Sequence, residues 1–234
     1  MAVAVPVAAI VFLLAYAPQL LAYKALNGHY GPTDLVGRKM IWTSPHAWGV
    51  LFSPEHGLFA WTPLALLAIA GLVLLALGAG AGEPPASPKS TTRETGQRTK
   101  AGEARWIGAL ALLMFAAQIY ITGAVDSWTL AGALGQRRFV ALTPILTLGL
   151  AAVLAAVAVS GHRLGRALIA SAVVLAVWWN VGLMAQFGLH RMDRQRLTLR
   201  ENAWNTFVVL PLEAPSIVMR YFTDRASFYN QPRQ

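Results

Sequence analysis

Five long apolar runs constrain the fold of this chain more than any other feature. A helix of roughly 20 apolar residues crosses a hydrocarbon core of about 30 Å. Only 12% of the residues are charged, against about 25% in a typical soluble domain, and the charges cluster between the runs. The sequence therefore predicts an all-α integral membrane protein with about five transmembrane helices. The runs are residues 2–23, 58–80, 106–124, 139–160 and 164–189.

The segments between the runs predict how the chain is organised. Residues 1–80 hold two helices and a loop at 24–57, whose Gly, Pro and Ser content indicates turns and short helices. Residues 81–105 are polar and lack aromatic side chains, which predicts a flexible linker. Three further helices follow in residues 106–189. The tail, residues 190–234, is basic, and its apolar stretch is interrupted by Pro211, Glu213 and Pro215, which favours an interfacial position over a membrane crossing.

Basic residues predict the orientation of the chain, because Lys and Arg are enriched in cytoplasmic loops. The linker and the turn at 161–163 are basic and share one side, which we assign to the cytoplasm. The first loop, the third loop (125–138) and the tail then lie outside. The arginines of the tail oppose this rule, and three explanations stay open: the tail binds anionic phosphate outside, the topology is inverted, or the number of spans differs by a missed or extra one. The net charge of +9 is better explained by anionic headgroups than by nucleic acid.

Residues 51–63, with the letters LFSPEHGLFAWTP, lead from an aromatic loop directly into the second run. Glu55 and His56 are adjacent there, and a carboxylate beside an imidazole can act as acid and base or hold a metal. In the alternative interpretation, Ser53 caps a helix and Glu55 is stabilised by the helix dipole. On residue chemistry alone, the helix-start interpretation is favoured.

Two pairs of basic residues are candidate phosphate ligands. Arg137 and Arg138 stand at the mouth of the fourth run, and Arg38 and Lys39 lie in the first loop. Paired guanidinium groups can neutralise a phosphate by bidentate hydrogen bonds. The alternative is that they contact lipid headgroups without selectivity, as arginines near helix ends commonly do. The chain has no Cys, which excludes thiol chemistry, and no zinc-ligand spacing is present.

Residues 51–63 resemble the "LFS..HGLF.WTP" stretch of bacterial membrane glycosyltransferases of the GT-C type, the dolichyl-phosphate-mannose-protein mannosyltransferase-like enzymes. Four other segments agree in order and spacing with the C-terminal half of such enzymes. They are Pro18-Gln19-Leu20 with Tyr23-Lys24 and Gly28, Pro45-His46, Trp128 with Gly135-Gln136-Arg137-Arg138-Phe139, and Asp224-Arg225-Ala226-Ser227-Phe228.

The resemblance implies a bacterial inner (plasma) membrane protein that helps transfer a sugar from a polyprenyl-phosphate donor to a lipid, glycan or protein acceptor on the extracytoplasmic side. It implies that Arg137 and Arg138, with weaker support for Lys39 and Arg38, bind the donor phosphate. Glu55, His56, His46 and Trp128 become candidates for shaping the loops over the cavity. No cofactor is expected, and a divalent metal is not indicated.

The family's catalytic Asp lies upstream of the part that this chain resembles, so we expect a fragment or one half of a split enzyme, inactive in isolation. Residues 131–135, Ala-Gly-Ala-Leu-Gly, also depart from the family's Gly-Gly-Ser-Phe-Gly. One rival is a non-catalytic membrane subunit that docks on a partner enzyme. A small transporter is a weaker rival, since the spans hold no Asp, Glu or Lys at their centres.

Overall fold

The computed structural model describes residues 4–78, 91–129 and 132–225. Within these ranges the chain is helical, and its only β-type pairing is an isolated bridge between Met40 and Val125. The helices are α1 (Ala4–Asn27), α2 (Asp34–Arg38), α3 (Ala47–Phe52), α4 (Leu58–Trp61), α5 (Leu64–Leu77), α6 (Thr91–Ala124), a 3-10 turn (Arg137–Leu142), α7 (Thr143–Val159), α8 (Arg163–Gly188), α9 (Leu199–Trp204), a π turn (Asn205–Val209) and α10 (Leu210–Thr223).

The all-α fold class is confirmed for the described residues, and four of the described helices are long and apolar enough to cross a membrane. They cover Pro6–Asn27, Gly102–Ala124, Arg137–Val159 and Arg163–Gly188. The two short helices α2 and α3 confirm the expected character of the first loop.

The second predicted span is shorter and more broken than the apolar run suggests. Helix α4 ends at Trp61, and α5 begins at Leu64 and continues for 14 residues, which is about 21 Å. The break falls at Pro63, which has no N–H to continue the helix. Side chains of α8 bind the carbonyls at the end of α4: Trp179 Nε1 donates to Ala60 O at 3.2 Å, and Asn180 Nδ2 donates to Trp61 O at 2.6 Å.

The predicted linker is helical over residues 91–105, because α6 begins at Thr91. For residues 91–105, the prediction of a flexible linker is therefore corrected to a helix. Residues 81–90 of the predicted linker lie outside the described residues. The predicted turn at 161–163 is present, with α7 ending at Val159 and α8 starting at Arg163.

Helices α5 and α7 approach most closely where two glycines face each other. A Cβ atom added to Gly71 would overlap the backbone of Gly149, and one added to Gly149 would overlap the carbonyl of Ala68. On the other side of α5, a Cβ atom on Gly108 of α6 would lie 2.5 Å from the backbone nitrogen of Ala76. Glycine allows this close helix packing, which supplies van der Waals attraction where lipid offers no hydrophobic driving force.

The first loop, the third loop and the tail meet at one end of the helices, as the orientation argument predicts. Ile41 N donates to Ala124 O at 2.6 Å, and Leu197 N donates to Pro54 O at 2.9 Å. The side of the membrane to which this end belongs remains a prediction.

The tail is more regular than its prolines suggest. Helical structure runs without interruption through α9, the π turn and α10, from residue 199 to residue 223. Pro211 directly follows the π turn, and Pro215 lies inside α10, so neither proline ends the helical structure. The apolar stretch that the sequence presents as broken is therefore one continuous helical arm.

Candidate loop and phosphate site

His56 fastens the first loop to the third. Its side chain is fully buried, stacks on the Trp61 ring with 4.9 Å between centroids, and places Nε2 2.7 Å from Ala133 O. A carbonyl can only accept, so Nε2 carries the proton and donates. The backbone of His56 has φ 69°, a left-handed conformation that a non-glycine residue adopts at a cost, so the surrounding contacts hold it there.

Burial lowers the pKa of the His56 imidazole below its ordinary value of 6.5. The hydrogen bond to Ala133 O and the nearby carboxylates of Asp193 and Glu55 raise the pKa but do not outweigh burial. The folded protein therefore favours the neutral ring.

We expect a specific loss of stability in mild acid from this residue. The unfolded chain binds a proton on His56 near pH 6.5 and the folded chain only at lower pH, so the contribution of neutral His56 is complete above pH 6.5. It is lost progressively as the pH falls from 6.5 towards the folded-state pKa. Thermal unfolding in detergent across this pH window measures the loss of stability. The His56→Gln variant keeps an N–H donor but does not titrate, so its stability should depend less on pH. Equal pH profiles for the two proteins would contradict the assignment.

Gln136 also links the first loop to the third by hydrogen bonds, and the sequence did not single it out for this role. Its Nε2 donates to the carbonyls of His56 at 3.3 Å and Trp128 at 3.2 Å. The Trp128 ring in turn stacks on His46 with 5.6 Å between centroids. The Trp128 ring also covers Gly49 of α3, where a Cβ atom would lie 2.7 Å from it. Trp128, His46 and His56 are thus gathered in one loop assembly.

Glu55 stands apart from its neighbour His56. Its side chain is exposed, and its backbone N–H donates to Ser53 Oγ at 3.0 Å. Ser53 therefore caps a turn that includes Glu55, whereas the next helix, α4, begins only at Leu58. Since the carboxylate is exposed and the imidazole is buried, the pair is not arranged as an acid and base facing a common substrate.

Arg137 and Arg138 are held differently at the start of the fourth span. Arg137 is exposed, whereas Arg138 is half-buried and donates from Nη2 to Ser127 O at 3.2 Å. Gln118 of α6 donates to the carbonyl of Arg138 at 3.1 Å. The Nη1 atom of Arg138 is buried and has no hydrogen-bond partner among the described residues. A buried guanidinium donor without a partner is costly, so it is a candidate ligand for an anion.

A backbone hydrogen bond brings the second basic pair, Arg38 and Lys39, close to the segment that positions Arg138. Asp126 N donates to Lys39 O at 2.8 Å, and Asp126 directly precedes the Ser127 whose carbonyl binds Arg138. Arg38 and Lys39 are exposed. The structure therefore brings the backbone of the first-loop pair next to the segment that positions Arg138.

The polar residues inside the long apolar helices form hydrogen bonds to neighbouring segments. Asn180 binds α4, Gln118 binds the loop before α7, and Gln186 binds α9. Among the residues with described side chains, no group of three His, Asp or Glu side chains is placed to hold a metal ion. Residues 226–228 of the last resemblance segment, and Ala131 of the altered loop, lie outside the described residues.

No protein-family model, curated protein or solved structure matches the chain.

Proposed function

We propose that this chain is the membrane part of a glycosyltransferase that uses a polyprenyl-phosphate sugar donor, with Arg137 and Arg138 binding the lipid phosphate. The observation that supports the proposal is the buried Nη1 of Arg138, which has no partner among the described residues while Ser127 and Gln118 hold the same residue in place. The resemblance of residues 51–63 and 135–139 to GT-C enzymes supports the choice of substrate.

The proposed chemistry is displacement at the anomeric carbon, with the lipid phosphate as leaving group. The acceptor's nucleophilic atom forms a bond to the anomeric carbon with its own electron pair, while the bond from that carbon to the phosphate oxygen breaks and the oxygen takes the bonding electrons. Arginine donors aimed at this oxygen stabilise the charge that develops on it. The base that removes the acceptor proton is a carboxylate expected upstream of the segment that this chain resembles.

A binding experiment tests the proposal. The chain is reconstituted in phosphatidylcholine nanodiscs, and the affinity for a fluorescent polyprenyl-phosphate hexose is compared with that of the double variant Arg137→Gln/Arg138→Gln. Hydrogen bonds to charged groups contribute about 1.5–3 kcal/mol each, so we expect affinity to fall about tenfold or more.

The matched control is Arg163→Gln/Arg166→Gln, which removes two arginines at the opposite end of α8 and should leave the affinity unchanged. Phosphatidylglycerol should compete poorly with the polyprenyl phosphate, and polyprenol without phosphate should not compete. Equal competition by phosphatidylglycerol would reject selective donor binding in favour of generic headgroup contact.

A non-catalytic subunit that docks on a partner enzyme is the second candidate, and helix α1 favours it. None of the described side chains of its span, Pro6–Asn27, is buried. A span without buried side chains leaves its whole surface for lipid or for helices of another protein. Copurification of a second membrane protein that needs α1, together with no selective binding of polyprenyl phosphate, would favour this candidate.

A further inference from the structure

The helical arm formed by α9, the π turn and α10, residues 199–223, turns a largely polar stripe towards the protein. The stripe recurs at steps of three or four residues, which places its members on one helix face. Its first three members are buried and the next three are half-buried. The six are Asn202, Thr206, Leu210, Glu213, Ile217 and Arg220.

Specific bonds hold this stripe against α8 and the segment that follows it. Gln186 Nε2 donates to Thr206 Oγ1 at 2.9 Å and to Asn202 O at 3.1 Å, and Asn202 Nδ2 donates back to Gln186 Oε1 at 3.0 Å. Farther along the arm, Arg191 forms an ion pair with Glu213. The rotation of the arm about its own axis is thereby fixed.

The opposite face of the arm is apolar and exposed. Leu212 is 79% exposed and Phe222 is 80% exposed. Trp204, Phe207, Val218 and Met219 are exposed as well. A helix on a water-facing surface turns its apolar face inward and its polar face outward. The arm has the reverse arrangement.

We infer that the arm is a membrane-interface helix whose apolar face lies among the acyl chains of the leaflet next to the loop assembly. Hydrocarbon is the solvent that favours an apolar outward face, and the neighbouring spans expose apolar side chains in the same way. Asn202 lies near the start of the arm, shortly after the loop that follows α8, and it binds Gln186 near the end of α8. The arm therefore starts at the surface of the bilayer rather than at its centre. This inference does not depend on glycosyl transfer.

The absence of cysteine from the chain gives a direct test. Single-cysteine variants Leu212→Cys and Phe222→Cys are labelled with an environment-sensitive fluorophore in vesicles of phosphatidylcholine and phosphatidylglycerol. We expect a blue-shifted emission and strong quenching by nitroxides placed near the headgroup end of the acyl chain. Quenching by nitroxides near the methyl end, and by aqueous iodide, should be weaker.

Gln195→Cys is the control, because Gln195 is exposed in the segment between α8 and the arm. Its label should be quenched by iodide more than by the lipid nitroxides. Equal iodide quenching at positions 195, 212 and 222 would overturn the inference, as would stronger quenching from the methyl end, which indicates a membrane crossing. Labels at 212 and 222 shielded from both kinds of quencher would show that protein covers the face, and would also overturn it.

Discussion

Adding one methyl group at Gly71 is expected to lower the free energy of unfolding by about 2–3 kcal/mol, as overpacking of a close contact does. The new Cβ atom would overlap the backbone of Gly149, and a backbone cannot rotate away as a side chain can. Helices α5 and α7 would have to separate, and α5 also packs against α6. The Gly71→Ala variant should therefore lose much of the central helix packing.

The measurement is thermal unfolding in detergent followed by near-ultraviolet circular dichroism, which reports tertiary packing around the buried rings of Trp61 and Trp179. Gly165→Ala is the matched control, since its Cβ atom meets only the Cβ of His162 at an ordinary 3.7 Å. The control should melt at the parent temperature or slightly above it, because alanine is the better helix former. A Gly71→Ala protein that melts with the parent would show that these helices are not in this close contact.

The long apolar helices were predictable from the sequence because a run of about 20 apolar residues is a simple local signal. The break after Trp61 was not. Pro63 alone is compatible with a helix start, and what stabilises the break is Trp179 and Asn180, 119 residues away from the carbonyls that they bind. A contact over such a separation leaves no mark in a local pattern.

The loop assembly was also predictable from the sequence only in part. Local chemistry identified Arg137, Arg138 and His56 as notable, but not their different burial. His56 links the two loops because its ring faces a backbone carbonyl, Ala133 O. Every residue has the same backbone carbonyl, so the sequence does not reveal which one a side chain will bind. The polar contacts of Gln136 are to carbonyls too. A glutamine beside a glycine turn gives no sign of this role.

The helical arm shows why an interrupted pattern can mislead. Pro211 and Pro215 suggested a break, yet the helical structure continues from the π turn through both prolines. The polar positions that weaken the apolar signal, Asn202 and Glu213, are those that bind the rest of the protein. In a lipid solvent the polar residues of a helix mark its protein-facing side.

Replacing Gln186 with leucine is expected to detach this arm and to cost about 2–4 kcal/mol. Leucine has nearly the volume of glutamine, so packing changes little, but Asn202 Nδ2, Asn202 O and Thr206 Oγ1 lose their bonds to its side chain. Each buried polar group left without a partner costs about 1–3 kcal/mol. Removing one member of a satisfied network is therefore more damaging than its net bond energy suggests.

A double-mutant cycle of Gln186→Leu with Asn202→Leu separates the network from simple packing. If the two side chains act through each other, the double variant should be less destabilised than the sum of the single variants, by about 0.5–3 kcal/mol. Asn202 also accepts from Thr198 N at 2.8 Å, so its single variant carries an additional loss at the start of α9. Protease cleavage within residues 199–223 measures detachment, while melting measures stability. Strictly additive losses with no added cleavage would mean that the arm is held by its apolar contacts and that the polar stripe has no part in fixing it.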